Sequence, residues 1–574
     1  MASAEYDIGQ LEELITGDIE IDELVELLPL LKVDVDDFND ETITVDITPD
    51  RPDLFSEEGV SRMINSYLFS DYQKIYNVKK GNYEINVSKD NAKYRPFTVA
   101  AVIKNLNLDE DKLKTIIRVQ EKLHTTLGRK REKVAIGIYP ENKIDFPIDF
   151  TSLKPSKIKF QPLESDSEMT ASEILSKHEA GKKYGYLLDD MKKYPLFLDS
   201  SDNVLSMPPI INSEYTGRVS SGKNDLFIEC SGFDLKSLNL ALNILVTMFY
   251  DMKGDVYNVK INYPKGYYSK INSEDAKFSF KRYFKKEKGN LYQNSPDLSF
   301  NKIKIDYDLI NKLLGYNFSK DQIKNHLKKM CFLIDEDYAL IPPYRHDVIH
   351  NVDLAEDVSI SYGFDNIVTE KLLVPGFGKI DSFQKFKKKI NDLMISMNLQ
   401  PIKNYSIDDI KQQEMFLKDD KSFVKLSNPV NKDYNVMRRS LIPQQFEFLN
   451  YNKKKEYPQK FFEIGEVFIL ENSSPFEHKE VEKMSVVLAG EGSTFTKIKQ
   501  IINNIANSLD LDFSYEESEK DFLIEGRCAS INLDGNNIGF LGEVNPKFIL
   551  KYDLDVPVVL SEIDINSIYD YLNK

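Results

Sequence analysis

One short motif occurs twice, and both copies stand at the same point of a strand, turn and helix pattern. The first copy is PDRPDL at residues 49–54 and the second is PYRHDV at residues 343–348, so both read P-x-R-x-D followed by leucine or valine. Each follows a short alternating stretch, at 42–47 and at 338–341, and each leads into a helical pattern rich in acids. Two related strand, turn and helix modules are therefore predicted, far apart in the chain.

The chain has 574 residues, which is too many for a single hydrophobic core, so several domains are expected. Alternating and helical stretches succeed one another along the sequence, which favours an α+β multidomain fold. The predicted domains are an acidic α+β module at 1–92, an α+β domain at 93–268, a small module with the second motif and a carboxylate cluster at 269–374, and a last domain at 375–574.

The last domain is predicted to begin with an amphipathic helix between Ile380 and Met397. A break at Gly376 and Gly378 precedes this helix. The rest of the domain alternates strands with helices, which indicates a mixed or antiparallel sheet. Its predicted strands lie at 461–470, 484–489, 528–533 and 537–544.

The formal net charge of −17 is concentrated near the start of the chain, where the first fifty residues contain sixteen acids and one lysine. Basic clusters at 128–133, 281–288 and 452–460 could contact phosphates, or could be solvated helix ends and loops. Three separated cysteines indicate a reducing compartment, and no apolar run reaches the roughly 18 residues of a membrane span. With an acidic start that does not resemble a signal peptide, the sequence predicts a soluble cytoplasmic protein.

Three separated segments carry a resemblance to one family. The first is ITPDRPDL at 47–54 with Glu58 and Gly59 after it, and the second is VLSMPPIIN at 204–212 followed by FIEC at 227–230. The third is IPPYRHD at 341–347, which continues to DLAED at 353–357 and YGFD at 362–365. In this order and spacing, the segments resemble the β subunit of phenylalanyl-tRNA synthetase in its shorter archaeal and eukaryotic form.

The resemblance implies a subunit that, with an α subunit, supports ATP-dependent attachment of phenylalanine to tRNA(Phe) and hydrolyses mischarged tyrosyl-tRNA(Phe). It implies a heterotetramer of two α and two β subunits in which α binds ATP and phenylalanine. Domain 93–268 would be the editing module, and domain 375–574 an inactive class II synthetase core. Two other interpretations stay open at this point: a free-standing RNA-binding scaffold and a stand-alone hydrolase of mischarged tRNA.

A catalytic class II core needs arginines for the ATP phosphates, because a bidentate guanidinium is hard to replace there. Such arginines lie in patterns like F-R-x-E and G-x-G-x-x-R, and neither pattern occurs in this sequence. The G-x-G at 490–492 has Phe495 in the place of the arginine, and the G-x-G at 376–378 has Asp381 there. The sequence therefore predicts that this core forms no aminoacyl-adenylate and has no catalytic residue for aminoacylation.

Four carboxylates follow the second motif with the spacing D-x5-D-x2-E-D. They are Asp347, Asp353, Glu356 and Asp357, and the last three fall on one helical turn. An all-oxygen set suits Mg²⁺ or Ca²⁺, whereas Asp353 as N-cap with Glu356 three residues later would make a capping box without metal. The resemblance implies Mg²⁺ ligands shared with the α subunit. The first copy of the motif lacks the later acids and is expected to bind no metal.

An apolar pocket for phenylalanine cannot strongly reject tyrosine, so a second hydrolytic site must recognise the added hydroxyl. Candidate residues for that site surround the second family segment, and the resemblance supports Leu205, Ser213 and Asp234 most. The absence of a Cys/His or Ser/His pair nearby favours attack by a positioned water. Ser213 could instead be a turn residue and Asp234 an N-cap. The full candidate set is Leu205, Met207, Asn212, Ser213, Glu214, Glu229 and Asp234.

Overall fold

The computed structural model divides the mixed α/β chain into two compact units, Met1–Lys371 and Leu372–Lys574. It describes residues 2–17, 19–69, 71–267, 269, 271, 283–287, 290–371, 376–418, 422–471 and 473–573. The predicted boundary at 374/375 falls outside the described residues, as does part of the predicted basic cluster at 281–288. The predicted boundaries at 92/93 and 268/269 fall inside the first unit, and the four predicted domains stay predictions.

An eleven-stranded sheet dominates the first unit. The central strand Lys79–Val87 runs parallel to both of its neighbours, and the other pairs are antiparallel. In spatial order the path is Ile211–Asn212, Val204–Met207, Tyr194–Leu198, Ile148–Leu153, Lys79–Val87, Asp255–Tyr263, Phe97–Leu108, Gly222–Gly232 and Val134–Pro140. Strand Asn290–Ser295 pairs with Asp255–Tyr263 and with Lys285–Glu287.

Helices cover this sheet and connect its strands. The helix Leu235–Asp251 is apolar on nearly all sides, and such a helix is stable only when buried, as it is here against Phe97–Leu108 and Gly222–Gly232. The helices of the unit are Ile8–Leu14, Ile21–Leu30, Glu57–Leu68, Asn91–Tyr94, Glu110–Thr125, Ala171–Lys177, Glu179–Tyr184, Glu214–Gly217, Leu235–Asp251, Tyr307–Leu314, Lys320–Lys329 and Asn351–Tyr362. None of the helices in the described ranges is long and apolar enough to span a bilayer.

The two motif copies occupy equivalent positions in two small antiparallel sheets. The strand before each copy, Thr42–Ile47 or Tyr338–Ile341, has the bounds that the alternation predicts and is the middle strand of a three-stranded sheet. The outer strands are Ala2–Asp7 and Val33–Phe38 in the first module, and Asn301–Lys304 and Leu333–Asp335 in the second. A helix follows each motif, at Glu57–Leu68 and at Asn351–Tyr362, so the predicted repeat is confirmed.

The two modules pack against each other within one hydrophobic core that runs from Ala4 to Ile360. The hydroxyl of Ser66, from the first module, donates to the carbonyl of Lys328, from the second, over 2.9 Å. The guanidinium of Arg62 lies 4.1 Å from the ring centroid of Tyr344, which belongs to the second motif. The start and the end of the first unit are therefore built into one core.

The second unit is a seven-stranded sheet, antiparallel except at one edge. Its strand order is Gln400–Pro401, Gln459–Leu470, His478–Ala489, Val558–Asp564, Asn536–Val544, Leu523–Leu533 and Phe513–Glu517, which confirms the four predicted strands. Two short strands, Ile407–Asp408 and Val436–Met437, form a separate pair. The helices are Ser382–Ser396, Ile410–Phe416, Ile442–Tyr451, Phe495–Ser508, Pro546–Lys551 and Ile565–Leu572.

The predicted amphipathic helix of this unit forms between Ser382 and Ser396. Asp381 caps it by accepting hydrogen bonds from the backbone of the first turn, which explains why the helix starts two residues after Ile380. Phe386, Ile390 and Met394 are its buried residues, as the apolar periodicity predicts.

Candidate functional site

A cavity of about 580 Å³ lies in the first unit, within the predicted editing domain. Its walls come from the helix Glu110–Thr125, the strands Val134–Pro140 and Gly222–Gly232, the turn at residues 208–212 and the helix Glu179–Tyr184. Isoleucine and leucine side chains form much of its surface. A mostly apolar cavity of this volume suits one small organic group with a few polar contacts.

The polar end of the cavity is formed by Glu229 and Asn212, with Tyr139 behind them. The Tyr139 hydroxyl lies 3.2 Å from Oε1 of Glu229 and 3.5 Å from Oδ1 of Asn212. Oε2 of Glu229 is buried and has no hydrogen-bond partner within the described part of the chain. An unpaired carboxyl oxygen in this position is ready to bond a polar group of a ligand.

Burial raises the pKa of Glu229 to about 8, although the guanidinium of Arg95 acts in the opposite direction. At neutral pH the side chain is therefore mostly the uncharged acid, which can both donate and accept a hydrogen bond. The backbone at Gly137 passes close to both side chains, since a Cβ there would lie 2.1 Å from the Tyr139 hydroxyl and 2.6 Å from Oε1 of Glu229.

His124 lines the cavity but has no free nitrogen for catalysis. Its Nδ1 lies 2.9 Å from Oε1 of Glu121, and its Nε2 accepts from the backbone N–H of Ile136 over 2.8 Å. A backbone donor at Nε2 places the ring proton on Nδ1, and burial lowers the pKa of His124. The imidazole is thus a neutral structural group and cannot serve as the general base.

Arg131 completes this wall. Its guanidinium donates to Oε1 of Glu121 over 2.7 Å and to the carbonyl of Ile210 over 2.9 Å, and it lies 4.4 Å from the ring centroid of Tyr184. Although burial opposes it, contact with His124 and Arg131 lowers the pKa of Glu121 to about 2. The Glu121 carboxylate therefore holds His124 and Arg131 in the wall of the cavity and is not a free base.

Of the seven residues predicted for editing, the structure brings Asn212 and Glu229 together in the cavity. Leu205 and Met207 are fully buried in apolar clusters and are not among the residues that line it. The backbone N–H of Ser213 bonds the carbonyl of Leu205, and the Ser213 side chain is likewise outside the lining.

Glu214 and Asp234 also lie away from the cavity lining. Glu214 accepts from the backbone of Glu164 and pairs with Arg218 over 3.1 Å. Asp234 caps the helix Leu235–Asp251 by accepting from the backbone of Lys236 and Ser237, each at 3.2 Å. The contacts of Asp234 are those that the N-cap alternative predicts. The editing roles of Glu214 and Asp234 stay predictions.

Sequence reasoning missed Glu121, His124, Arg131 and Tyr139. One signal was present, because Glu121 and His124 stand three residues apart and so share a helix face. Arg131 was noted only as part of a basic cluster. The Arg131 side chain reaches the cavity because residues 129, 130 and 131 form a turn in which all three have positive φ. Arginine and lysine rarely adopt positive φ, so the sequence does not predict this turn.

The four carboxylates of the second module do not converge on one point. Arg345 holds Asp347 in a two-bond ion pair, at 2.8 Å from Nε and 2.6 Å from Nη2, and also bonds Asp357 at 2.8 Å. The same guanidinium holds the pKa of Asp347 well below its usual range, against the effect of burial, while burial raises the pKa of Asp357. Arg51 and Asp53 form the same ion pair in the first motif, at 2.9 and 2.8 Å.

Asp353 and Glu356 face other groups. Asp353 accepts from the backbone of Ile349 and His350 over 2.6 and 2.7 Å. His350 is the N-cap of the helix, so the alternative that placed Asp353 at the N-cap is wrong by three residues, because the helix starts at Asn351. Glu356 pairs with Lys32 at 2.7 Å.

The same Arg-x-Asp ion pair forms in both modules, although only the second has the later acids, so the pair has a structural role that does not depend on them. Across the described residues, no group of three or more potential ligands is placed to hold a metal ion. The carboxylates of this chain, by themselves, do not fit the Mg²⁺ site that the resemblance implies, since two of them already have a guanidinium as counter-charge.

We accordingly expect millimolar Mg²⁺ to raise the Tm of the isolated chain by less than about 1 °C, because an ion without a site cannot stabilise the folded state. Calcium at the same ionic strength is the control for specificity. Both ions can be compared by calorimetry of the chain and of its Glu356→Gln variant. A rise of several degrees with Mg²⁺ that disappears in Glu356→Gln would show that these acids do form a metal site.

Comparison with protein-family models matches residues 303–364 to the tRNA synthetase B5 domain and residues 373–565 to the phenylalanyl tRNA synthetase beta chain CLM domain. Among curated proteins, the chain is 34% identical to the phenylalanine–tRNA ligase beta subunit of Pyrococcus furiosus, over 98% of this chain and 99% of that one. It is 32% identical to the subunit of the same name from Archaeoglobus fulgidus, over 98% and 97% of the two chains.

Among solved structures, the chain matches an N-terminal fragment of the phenylalanyl-tRNA synthetase beta subunit from Pyrococcus horikoshii. The TM-score is 0.56 and the identity 36%, and the match covers 63% of this chain and 99% of the fragment. The similarity in sequence therefore extends along the whole chain, and a similarity in fold accompanies it over more than half.

Proposed function

The chain belongs to the phenylalanine–tRNA ligase β-subunit family, and we propose that its 580 Å³ cavity hydrolyses tyrosine that has been attached wrongly to tRNA(Phe). The observation that carries this proposal is the buried, unpaired carboxyl oxygen of Glu229 at the polar end of a mostly apolar cavity. The apolar surface would receive the aromatic ring, and Glu229 would bond the phenol hydroxyl.

This arrangement can discriminate tyrosine from phenylalanine, which the pocket that attaches phenylalanine cannot do strongly. A pocket built for phenylalanine loses little by admitting one extra hydroxyl, whereas a site that hydrogen-bonds a hydroxyl strongly rejects the analogue without it. Phenylalanine in this cavity would leave Oε2 of Glu229 desolvated and unpaired, at a cost of about 1–3 kcal/mol. Tyrosine satisfies that atom, so the cavity selects the amino acid that needs to be removed.

Hydrolysis at this site proceeds by attack of water on the ester. A covalent route needs a nucleophile with an adjacent base. Neither histidine that lines the cavity can be that base, because both ring nitrogens of each are engaged. His124 contacts Glu121 and the backbone of Ile136, and His178 contacts the carbonyl of Leu163 and the backbone N–H of Ala180. Asn212, whose side chain lines the cavity beside Glu229, is the polar group that we assign to hold the water or the ester carbonyl.

The test compares tyrosyl-tRNA(Phe) and phenylalanyl-tRNA(Phe) as substrates for the complete enzyme. We expect tyrosyl-tRNA to be deacylated at least tenfold faster, in line with a difference of more than about 1.4 kcal/mol in barrier height. An Asn212→Ala enzyme, which retains the recognition group Glu229, should lose hydrolysis of both substrates. Equal rates for the two substrates in the unmodified enzyme would contradict the proposal.

We also propose that the second unit is an inactive class II core that supports a catalytic α subunit. The arginines after Lys379 are Arg438, Arg439 and Arg527. Arg438 is paired with Glu463 in the interior, Arg439 lies 5.0 Å from the ring centroid of Phe423, and Arg527 is paired with Glu543. Arg438 and Arg439 are buried and engaged by the protein, so neither is available to a nucleotide phosphate, whereas Arg527 keeps exposed nitrogens beside its ion pair.

ATP and phenylalanine would consequently bind to the α subunit, in an assembly of two α and two β chains with tRNA(Phe). We expect the isolated chain to show no ATP–pyrophosphate exchange above background, and exchange to appear when α is added. Sedimentation of the mixture measures the stoichiometry at the same time. Exchange by the isolated chain that survives further purification would contradict the inactive core.

A further inference from the structure

Arg95 is a buried cation that neither lines the cavity nor pairs directly with a carboxylate. It precedes the strand Phe97–Leu108 and is one of the largest fully buried side chains of the chain. Within the described ranges, no carboxylate oxygen lies at ion-pair distance from its guanidinium. A buried charge without a paired counter-charge is costly, so this arginine is expected to do more than fill space.

Hydrogen bonds join this guanidinium to the strand that carries Glu229. Nε of Arg95 donates to the hydroxyl of Ser231 over 3.1 Å, and Nη2 donates to the Ser231 carbonyl. Ser231 lies two residues after Glu229 on the strand Gly222–Gly232, so both side chains are on the same face of the sheet. Arg95 is therefore held beside the recognition group, outside the lining of the cavity.

Each of the two buried groups also affects the ionisation of the other. Burial raises the pKa of Glu229, and Arg95 is the largest of the effects that lower it. In return, burial lowers the pKa of Arg95 to about 10, and Glu229 is the acid that opposes this effect. The guanidinium thus favours the carboxylate form of Glu229, and the carboxylate favours the charged guanidinium.

The other ionisable groups around Glu229 do not replace Arg95. Burial raises the pKa of Tyr139, on the paired strand, and of the neighbouring Cys230 well above their usual ranges, so both stay neutral. Across the cavity His124 is neutral and Arg131 is engaged by an acid of its own. The rest of the lining adds Glu164, His178, Glu179, Lys183, Tyr184 and Arg218. Its two cations are exposed, and water weakens the effect of an exposed charge.

Resting on the proposed editing function, we propose that Arg95 is a positioning residue that sets the ionisation of Glu229 and, through it, the preference of the cavity for tyrosine over phenylalanine. An ionised carboxylate accepts a stronger hydrogen bond from the phenol than the neutral acid does, and it costs more to leave unpaired beside phenylalanine. Arg95 favours that carboxylate from outside the lining. The selectivity of the site therefore depends on a cation that the amino acid does not contact.

The experiment follows deacylation of tyrosyl-tRNA(Phe) and phenylalanyl-tRNA(Phe) by the complete enzyme from neutral pH to about pH 9.5, with enzyme-free deacylation subtracted. In the unmodified enzyme the ratio of the two rates should rise near pH 8. In Arg95→Met the carboxyl group loses its cation, so Glu229 stays protonated to higher pH. The midpoint of the rise should then move up by about one pH unit or more. Attachment of phenylalanine by the same enzyme shows that the variant subunit is folded and assembled.

Three further variants separate this role from a purely structural one. Lys104→Met removes a cation from the strand Phe97–Leu108, where two acids already hold it in ion pairs, and should leave the midpoint in place. Ser231→Ala removes the hydroxyl that Arg95 bonds and that also lowers the pKa of Glu229, so it should move the midpoint upward by less than Arg95→Met does. Glu229→Gln cannot ionise, and adding Arg95→Met to it should leave the ratio flat and nearly unchanged.

An unmoved midpoint in Arg95→Met overturns the inference, as does a loss of selectivity that is equally large when Arg95→Met is added to Glu229→Gln. If Arg95→Met does not assemble, an unmoved midpoint in Ser231→Ala has the same consequence. So does a ratio that does not vary with pH in the unmodified enzyme, because Arg95 would then have no ionisation to control. These outcomes leave a preference for tyrosyl-tRNA, and with it the proposed function, standing. Equal rates for the two substrates in the unmodified enzyme overturn the proposed function, and the role of Arg95 falls with it.

Discussion

Glu463→Gln should destabilise the second unit by about 3–5 kcal/mol, the usual cost of leaving one charge of a buried ion pair without its partner. Arg438 and Glu463 are both fully buried, and Nη1 of Arg438 lies 2.7 Å from Oε1 of Glu463. The backbone also passes close to the guanidinium, since a Cβ at Gly465 would lie 2.2 Å from Nη2 of Arg438. Glutamine has the same volume as glutamate, so the substitution opens no space for water beside the guanidinium.

Hydrogen exchange of the strand Gln459–Leu470 measures this locally, without assuming that the whole chain unfolds in one step. We expect its slowest amides to lose protection by roughly a hundredfold to several thousandfold. Amides of the first unit's strand Phe97–Leu108 serve as the internal control.

The double variant Arg438→Met/Glu463→Gln distinguishes an uncompensated charge from a simple packing defect. It removes both charges, and the remaining amide oxygen at 463 can still accept from the backbone of Asn404, which bonds Oε1 at 3.2 Å in the native chain. The double variant should be more stable than either single variant. Additive losses would show that the two side chains are not coupled.

Glu229→Leu should slow deacylation of tyrosyl-tRNA(Phe) roughly five- to hundredfold, because the phenol hydroxyl loses its partner at a cost of about 1–3 kcal/mol. Phenylalanyl-tRNA has no hydroxyl to lose, so its slow hydrolysis should stay level or rise. The ratio of the two rates in the complete enzyme is the quantity to measure. An equal fall for both substrates would mean that Glu229 supports the fold or the water instead.

The pH dependence gives a second test of the same residue. With the pKa of Glu229 raised to about 8, the neutral acid is present below that pH and is lost as the pH rises through it. The tyrosine-to-phenylalanine rate ratio should therefore rise above pH 8, because the ionised carboxylate is the stronger acceptor for the phenol hydroxyl and costs more to leave unpaired beside phenylalanine. Glu229→Gln cannot ionise and should show a ratio that is lower but flat. A ratio that rises equally in both enzymes would assign the titration to another group.

Much of the fold could be predicted because its signals are local. The alternation at 42–47 and 338–341 fixed two strands to the residue, and the repeated motif predicted that they would occupy equivalent places. Apolar periodicity placed the helix Ser382–Ser396 within two residues of its observed start. Strand and helix patterns depend on neighbours within one or two turns, which a single sequence displays directly.

The cavity was predictable only in part, since its residues meet through tertiary structure. Asn212 and Glu229 were found because they lie in family segments. Tyr139 meets them only in the folded sheet, where its strand pairs with that of Glu229 and Asn212 comes from the other end of the strand order. Local reasoning also could not decide between two uses of one acid. Asp234 suited both a helix cap and a phenol acceptor, and the structure shows the cap contacts.

The shared core of the two motif modules has a consequence for synthesis of the protein on the ribosome. The contact of Ser66 with Lys328 joins residues 262 positions apart, so the core cannot close until the second module has been made. At about 5–20 residues per second, translation of the first unit takes roughly 20–75 s. For the last roughly 6–24 s of that time, after Asp251 has been made, the apolar helix Leu235–Asp251 lacks its final cover. Such a nascent chain is a natural client for holding chaperones, and slower translation after the first module would lengthen its exposure.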